Sequence, residues 1–93
     1  RTRTVTKELS ARTASLEVDL RGQTVEEALM NLDSFIDHAQ LNGQGQITII
    51  HGKGTGALRT AVQQHLRNHP AIKSFRLGVY GEGESGVTIV EFK

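Results

Sequence analysis

The spacing of apolar and polar residues changes several times along the chain, and each change predicts a different element. Residues 16–22 alternate between apolar and polar, which predicts a strand with one buried face that ends at a glycine. Residues 46–50 are apolar almost throughout, which predicts a central strand covered on both faces. Two later runs, 72–80 and 87–92, alternate or are rich in β-branched residues and predict two further strands.

Two runs with helical spacing separate the first three strands. The first opens on Thr24 and Glu27, the sequence pattern of a capping box, and ends at Gly43, where glycine favours a left-handed cap. Its apolar stripe consists of Val25, Ala28, Leu29, Leu32, Phe35, Ile36 and Ala39. The second run covers about residues 57–68 and is stopped by Pro70.

The resulting order is β-α-β-α-β-β, without an internal repeat. It predicts an α/β (α+β) two-layer sandwich, in which a four-stranded mixed sheet carries two helices on one face. A strand, a helix and a second strand in sequence form a right-handed crossover, so the first two strands should be parallel. Their carboxyl ends then meet at one edge of the sheet, which is where ligands bind in proteins of this kind.

The segment HGKGTG, residues 51–56, lies between the second strand and the second helix. Its glycines let backbone N–H groups approach a ligand, and the start of a helix offers free donors and a positive dipole end. The spacing matches neither a Walker loop nor a dinucleotide fingerprint. We therefore predict a phosphate cradle, with a ligand-free tight turn as the alternative. The predicted phosphate or nucleic-acid contacts are Gly52, Lys53, Gly54, Thr55, Gly56, Arg59 and Arg76.

Three further side chains are predicted at the same edge: Asp19 and Arg21 at the end of the first strand, and His51 at the end of the second. His51 titrates near neutral pH and can act as an acid or base, although a lone histidine is more often structural. Asp19 can orient a water or bind a cation, and the alternative for Asp19 and Arg21 is a surface ion pair. Glu17 is the only obvious second ligand for a metal, which leaves a Mg²⁺ or Mn²⁺ cofactor open.

The sheet face away from the helices is expected to be partly open. Residues predicted on it are Glu17, Asp19, Arg21, Arg76 and Tyr80. Tyr80 can stack on a nucleic-acid base there, but we favour a half-buried aromatic at the edge of the sheet.

Composition and charge narrow the possible classes of protein. Cysteine is absent, which removes disulfides and thiolate zinc sites and fits a reducing compartment. No apolar run approaches the length of a membrane span and no signal peptide is apparent, so we expect no membrane partner. Net charge is +1, but residues 1–13 alone carry +3, so the remainder is mildly acidic. A polyanion must therefore be met by a local cluster of cations.

Residues 1–15 are polar, basic and without a period. We predict a flexible basic linker, with a nucleic-acid-binding arm as the alternative, followed by one domain over residues 16–93. The chain begins at Arg1 without methionine, and we expect it to be part of a longer protein.

Three segments resemble the signature segments of the Smr (small MutS-related) domain: VDLRG at 18–22, HGKGTG at 51–56 and GVTIVE at 86–91. The intervening stretches 26–29 and 57–62 are similar to the version at the C-terminus of bacterial MutS-II proteins. The likeness covers about residues 16–92 in the expected order.

This resemblance implies a fold like the C-terminal domain of translation initiation factor three and a largely sequence-independent nicking endonuclease. It implies branched DNA as a target, suppression of homologous recombination, and the rest of a MutS-II chain as partner. Asp19 and Arg21 match the D-x-R/H motif implicated in cleavage. The H-G-x-G-T motif is matched by His51, Gly52, Gly54 and Thr55, with Lys53 at its variable position. Glu84 and Ser85 replace the glycines usual before the last strand, so contact by that turn is an open point.

Three functions remain open on the sequence. The first is a DNA nickase of the bacterial cytoplasm, associated with the nucleoid, with His51 as acid or base and Asp19 as water or metal orienter. In it Arg21 and Lys53 stabilise the pentavalent phosphate. The second is a module that binds DNA junctions, RNA or a ribosomal surface without cutting, or cuts RNA instead. The third is a structural tail of a longer chain.

Overall fold

The computed structural model describes residues 16–81 and 83–93. Its elements are β1 (Leu16–Asp19), α1 (Val25–Leu41), β2 (Gln46–Ile50), α2 (Ala57–Arg67), β3 (Ile72–Leu77) and β4 (Val87–Phe92), with a one-turn 3₁₀ helix (Glu84–Gly86) before β4. The predicted order of helices and strands is confirmed, and the 3₁₀ turn was not predicted. The linker predicted over residues 1–15 lies outside the described residues.

The four strands form one mixed sheet in the order β1-β2-β4-β3. β1 pairs with β2 in parallel, whereas β4 pairs antiparallel with both β2 and β3. The central position predicted for β2 is therefore confirmed. Because β1 and β2 are parallel and each is followed by a helix, α1 and α2 both begin at the same edge of the sheet.

One face of the sheet packs against both helices. Alternate strand residues such as Ile47, Ile49 and Val90 point to this face and are fully buried. The core that they form with the helices is composed of Leu20, Ala28, Leu32, Ile36, Ala39, Ile47, Ile49, Val62, Leu66, Ile72 and Val90. Burial of each large apolar side chain contributes about 1.5–3 kcal/mol, which fixes the helices on the sheet.

The predicted capping box fixes the start of α1. The N–H of Glu27 donates to Thr24 Oγ1 at 3.1 Å, and the N–H of Thr24 donates to Glu27 Oε1 at 3.0 Å. At the other end Gly43 has φ 70° and its N–H donates to the carbonyl of Gln40 at 3.0 Å. Among residues 16–81 and 83–93, no helix is both long enough and apolar enough to cross a membrane.

β1 is shorter than the alternation predicted. The N–H of Leu20 still donates to the carbonyl of Ile50 at 2.8 Å, but β1 itself ends at Asp19. Gly22, with φ 81°, then turns the chain towards α1. Arg21 therefore lies in a turn at the sheet edge instead of in the strand.

β3 also ends early, at Leu77, although the alternation continues to Tyr80. Gly78 marks the end because a Cβ there would lie 2.5 Å from a methyl of Val87, so the chain packs closely and leaves the sheet. The half-buried edge position that we favoured for Tyr80 is wrong, since this side chain is 92% exposed.

Candidate functional site

A cleft of about 620 Å³ lies at the sheet edge where β1 and β2 end and both helices begin. Its walls are residues 21–25, which connect β1 to α1, and residues 51–59, which connect β2 to α2. The parallel pairing of β1 and β2 produces this arrangement. Each α-helix carries a partial positive charge at its N-terminus. The cleft therefore faces two partial positive charges, one from α1 and one from α2.

The two helix starts differ in how their N–H groups are satisfied. α1 has its capping box and two acids, Glu26 and Glu27, in its first turn. α2 begins at Ala57 after the N-cap Gly56, which has no side chain to act as a cap, and it has no acid in its first turn. The N–H of Ala57 donates to Thr55 Oγ1 at 3.3 Å, so one of its first N–H groups is already engaged. Arg59 lies in that turn, where a cation is unfavourable for the helix dipole. The start of α2 is therefore the part of the cleft best suited to an anion.

Two glycines of the loop allow arginines to pack against the backbone. Gly52 and Gly56 have φ 81° and 87°, the left-handed region that favours glycine. A Cβ at Gly52 would lie 3.2 Å from Cγ of Arg21, and one at Gly56 would lie 3.1 Å from Nη2 of Arg59. The guanidinium of Arg59 thus lies against Gly56 at the start of α2, and the aliphatic part of Arg21 lies against Gly52. Lys53, also in the wall of the cleft, is the third cation.

The carboxylate of Asp19 holds Arg21 in a bidentate ion pair. Arg21 Nε donates to Oδ1 at 3.0 Å and Nη2 donates to Oδ2 at 2.7 Å, while the backbone N–H of Arg21 also donates to Oδ1 at 3.0 Å. The hydrogen bonds from the Arg21 side chain lower the pKa of Asp19 below its ordinary value, so it is ionised at neutral pH. Asp19 lies beside the cleft and orients Arg21, which is in its wall.

His51 is buried beneath the loop, with 4% of its surface exposed. Its Nδ1 lies 2.9 Å from the carbonyl oxygen of Gly52, and its Nε2 lies 2.8 Å from Thr88 Oγ1. Because a carbonyl only accepts, Nδ1 carries the proton, and Nε2 accepts from the hydroxyl of Thr88. Both nitrogens are therefore occupied within the protein, which suits a positioning role. The predicted acid or base role would require one of these bonds to open.

The charge state of His51 follows from its surroundings. Burial lowers its pKa below the ordinary 6.5, the hydrogen bond to Gly52 opposes this, and the positive charge of Arg59 lowers the pKa further. The imidazole is consequently neutral at pH 7, in agreement with its two hydrogen bonds.

This pKa shift predicts a pH dependence of stability. The unfolded chain protonates His51 near pH 6.5, whereas the folded chain does so only at lower pH, so the unfolded state binds more protons in between. We expect the free energy of unfolding to fall as pH drops below about 6.5. Urea unfolding across about pH 7.5 to 5 should show that His51→Gln lacks this component. A difference between the two proteins that is constant with pH would contradict the assignment.

The turn before β4 supports the loop from below. The carbonyl of Gly86 accepts from the N–H groups of His51 and Gly52, at 3.1 and 2.9 Å. Glu84 Oε1 lies 3.4 Å from Lys53 Nζ. Glu84 has φ 55°, the one positive φ at a non-glycine position among residues 16–81 and 83–93. The turn therefore contacts the loop even though Glu84 and Ser85 stand where glycines were expected.

Two predicted residues do not reach the cleft. Glu17 pairs with Thr48 on the sheet face away from the helices. Arg76 lies on β3, the edge strand opposite β1, where it pairs with Ile89 of β4. Its Nη1 donates to the carbonyl of Leu77 at 3.2 Å. The nucleic-acid contact predicted for Arg76 on the open sheet face therefore lies away from the cleft and stays a prediction.

The described residues do not form a closed set of protein ligands for a divalent cation. Both carboxylate oxygens of Asp19 are engaged by Arg21. In the part of the chain that the structure describes, no three histidine, aspartate or glutamate side chains come together as metal ligands. Mg²⁺ is commonly held by one or two carboxylates together with waters and substrate phosphates, so the Mg²⁺ or Mn²⁺ cofactor stays a prediction.

Sequence reasoning missed Thr88 and Gly86, which hold His51 and the loop. Thr88 is fully buried, and it is a polar residue within a run of β-branched apolar ones. Such a residue signals a buried hydrogen bond, but its partner lies 37 positions away in the chain.

Comparisons with known proteins identify the family to which this chain belongs. The family model described as Smr domain matches residues 18–93, so the chain belongs to the Smr domain family. It is 55% identical over 83 residues to Endonuclease MutS2 of Ruminiclostridium cellulolyticum, an alignment that covers 89% of this chain and 10% of that protein. The chain thus spans about a tenth of the length of the curated relatives it matches.

Two solved structures share the fold. The Smr domain of Thermus thermophilus MutS2 has a TM-score of 0.82 at 45% identity, over 84% of this chain and 98% of that one. YdaL, a stand-alone small MutS-related protein from Escherichia coli, has a TM-score of 0.79 at 28% identity, over 83% of this chain and 63% of that one. The fold and family expected from the sequence are therefore confirmed.

Proposed function

We propose that this domain is an endonuclease module that nicks DNA by hydrolysing a phosphodiester bond without reading sequence. The observation that supports it is the start of α2, where the N-cap glycine provides no side-chain cap, in a cleft whose walls carry Arg21, Lys53 and Arg59. These groups match a phosphate in charge and in hydrogen bonding, and none of them distinguishes one base from another. Relatives over 50% identical carry the name Endonuclease MutS2, which agrees with this chemistry.

In the binding step, the N–H groups in the first turn of α2 beyond Ala57, whose own N–H is held by Thr55, and the three cations contact non-bridging phosphate oxygens. Arg21 reaches the phosphate already oriented, because Asp19 holds two of its nitrogens. Pre-orientation lowers the entropy lost when the substrate is fixed. The same contacts make affinity strongly dependent on salt.

In the chemical step, a water attacks phosphorus and the P–O bond to the leaving sugar oxygen breaks. The water loses a proton to solvent and the leaving oxygen gains one from solvent, which gives one phosphomonoester end and one hydroxyl end. Arg21 and Lys53 stabilise the negative charge that accumulates on the equatorial oxygens. Asp19 has a lowered pKa and so is a weak base, but its remaining lone pairs are suited to orient the attacking water. His51 keeps the loop N–H groups in place through Gly52 and Thr88.

We further propose branched recombination intermediates as the physiological target. Suppression of homologous recombination in the cytoplasm, near the nucleoid, would follow from cutting them. The remainder of a MutS-II chain is the natural partner, because the matched relatives are about ten times longer than this alignment. Recognition of the branch would then belong largely to that remainder, and the present cleft would supply the cut.

A second candidate is a module that binds nucleic acid, including RNA, without cutting it. The observation that favours it is the engagement of both His51 nitrogens and of both Asp19 oxygens within the protein. A cleft whose titratable groups are so committed still binds phosphate well, but it transfers protons poorly.

Nicking of supercoiled plasmid separates the two. We expect Asp19→Asn to reduce nicking by about a hundredfold while plasmid binding at low salt is retained, because the charge that orients Arg21 and the water is lost. Glu17→Gln is the matched control, since Glu17 lies on the same strand outside the cleft, and it should nick normally. Equal nicking by wild type and Asp19→Asn would reject the proposed site, and binding without nicking by wild type would establish the second candidate.

A further inference from the structure

We propose that Tyr80 is a stacking platform for an unpaired nucleobase of the strand whose phosphate occupies the cleft. This inference rests on the proposed function only in assuming that the cleft binds a nucleic-acid phosphate. It assigns a second contact to the loop between β3 and β4, on a different segment from the walls of the cleft. Its consequence is a preference for single-stranded regions over intact duplex.

The exposure of Tyr80 is the first observation. Its side chain is 92% exposed, and none of the residues in 16–81 and 83–93 forms a hydrogen bond or ring contact with it. The ring of a tyrosine usually packs against other groups and its hydroxyl usually forms a hydrogen bond. A tyrosine ring that is presented to solvent is typical of a binding surface. Val79, beside it, is also exposed at 57%, so the loop presents an apolar surface.

The position of the loop is the second observation. Its base is closed by a hydrogen bond of 3.3 Å from the N–H of Glu84 to the carbonyl of Val79. Glu84 in turn pairs with Lys53, whose Nζ lies 3.4 Å from Oε1. Tyr80 therefore follows directly after Val79, which is hydrogen-bonded to Glu84, and Glu84 pairs with Lys53 in the cleft wall.

Close packing at the base of the loop holds it in that position. A Cβ at Gly78 would lie 2.5 Å from a methyl of Val87 and 3.0 Å from the carbonyl oxygen of Glu84, a fit that only glycine permits. The N–H of Gly78 also donates to the carbonyl of Val87 at 3.1 Å. These contacts make the loop a defined neighbour of the phosphate loop, and Tyr80 projects from it.

A nucleobase is the ligand that fits both observations. A strand held at Lys53 by its phosphate carries its neighbouring bases past the adjoining loop, and every unpaired base has an aromatic face able to stack on tyrosine. In a duplex the bases are already stacked on each other, so Tyr80 gains nothing there. Cationic groups that hold the backbone, combined with an aromatic that accepts any base, are the usual means of binding single strands without sequence preference.

Tyr80 is the one tyrosine of the chain, and tryptophan is absent, so tyrosine fluorescence reports on this side chain alone. We expect oligothymidylate of about 12 nucleotides, added at low salt, to quench this fluorescence. An abasic oligonucleotide of the same length, which offers phosphates without bases, should bind more weakly and leave the fluorescence unchanged. Binding is followed independently by the anisotropy of a dye on the oligonucleotide.

The variants give the second readout. Tyr80→Ala is expected to weaken binding of oligothymidylate by roughly tenfold and to leave binding of a duplex of equal length unchanged. Tyr80→Phe keeps the aromatic face and should bind like wild type. Leu41→Ala is the matched control, because Leu41 is 87% exposed at the far end of α1.

Two results would overturn the stacking proposal and leave the proposed function standing. They are anisotropy binding without quenching, and equal affinity of Tyr80→Ala and wild type for oligothymidylate. Equal losses for single strand and duplex in Tyr80→Ala would also overturn it, since they would indicate a general effect on the site. Absence of any binding to wild type would overturn both proposals.

Discussion

Replacing His51 by alanine is expected to lower the free energy of unfolding by about 3 kcal/mol. The change removes a buried ring and leaves the hydroxyl of Thr88 and the carbonyl of Gly52 without their partner. Chemical denaturation monitored by circular dichroism measures the effect. His65→Ala is the control, because His65 is a partly exposed histidine of α2 that pairs with Asp33, and its loss should cost clearly less, about 1 kcal/mol. Equal losses in the two variants would contradict the role given to His51.

Thr88→Val distinguishes positioning by His51 from acid or base catalysis. Valine keeps the shape of threonine but frees Nε2 of His51, at a cost of about 1–3 kcal/mol in stability. If His51 positions the loop, nicking should fall in Thr88→Val as the loop loses its anchor, and the pH profile should keep its shape. If His51 transfers protons, freeing Nε2 should maintain or raise nicking and shift the pH profile.

The second large effect concerns Ala57, the first residue of α2 and part of the cleft wall. Ala57→Glu is expected to stabilise the fold by about 0.3–1 kcal/mol, because an acid is favourable at a helix start that has none. The same carboxylate occupies the anion site and repels a phosphate, so affinity for nucleic acid should fall on the order of tenfold to a hundredfold. Thermal unfolding and anisotropy binding measure the two opposite changes.

Ala57→Gln is the matched control, since it adds the same side-chain length without charge. It should leave binding within about threefold of wild type. If Ala57→Glu stabilised the domain and bound as well as wild type, the start of α2 would not be the phosphate site. If Ala57→Gln lost as much affinity as Ala57→Glu, the effect would be steric and would give no information on charge.

Local signals were sufficient to predict most of the fold. α1 combines a capping box at Thr24 with a continuous apolar stripe and a glycine cap at Gly43, and all three signals predict the same helix.

β3 shows the opposite case. Its alternation continues to Tyr80, but the close approach of Gly78 to Val87 ends the strand at Leu77. That approach depends on a residue of another strand, so it is not visible in the local pattern.

The sequence predicted the candidate site only to the extent that the order of helices and strands determines which residues lie at the same edge of the sheet. The parallel crossover brings Arg21, Lys53 and Arg59 to one edge, as the order of elements predicts. Burial of His51 depends on Thr88, 37 positions later, and no pattern near His51 signals it. Arg76 was predicted on the open sheet face from its place in the alternation, and the strand order puts it on β3, the edge strand opposite β1 and away from the cleft.

The left-handed backbone at Glu84 makes this position a place where charge can vary at little cost to stability. Left-handed backbone at an ordinary residue costs about 1–2 kcal/mol, and the larger freedom of glycine in the unfolded chain offsets only part of the relief that a glycine would give, so Glu84→Gly should not destabilise the fold. Substitution there would mainly alter the pairing with Lys53. Under the proposed function, a change at residue 84 would therefore tune the charge beside Lys53, and with it the affinity for a phosphate, without rebuilding the scaffold.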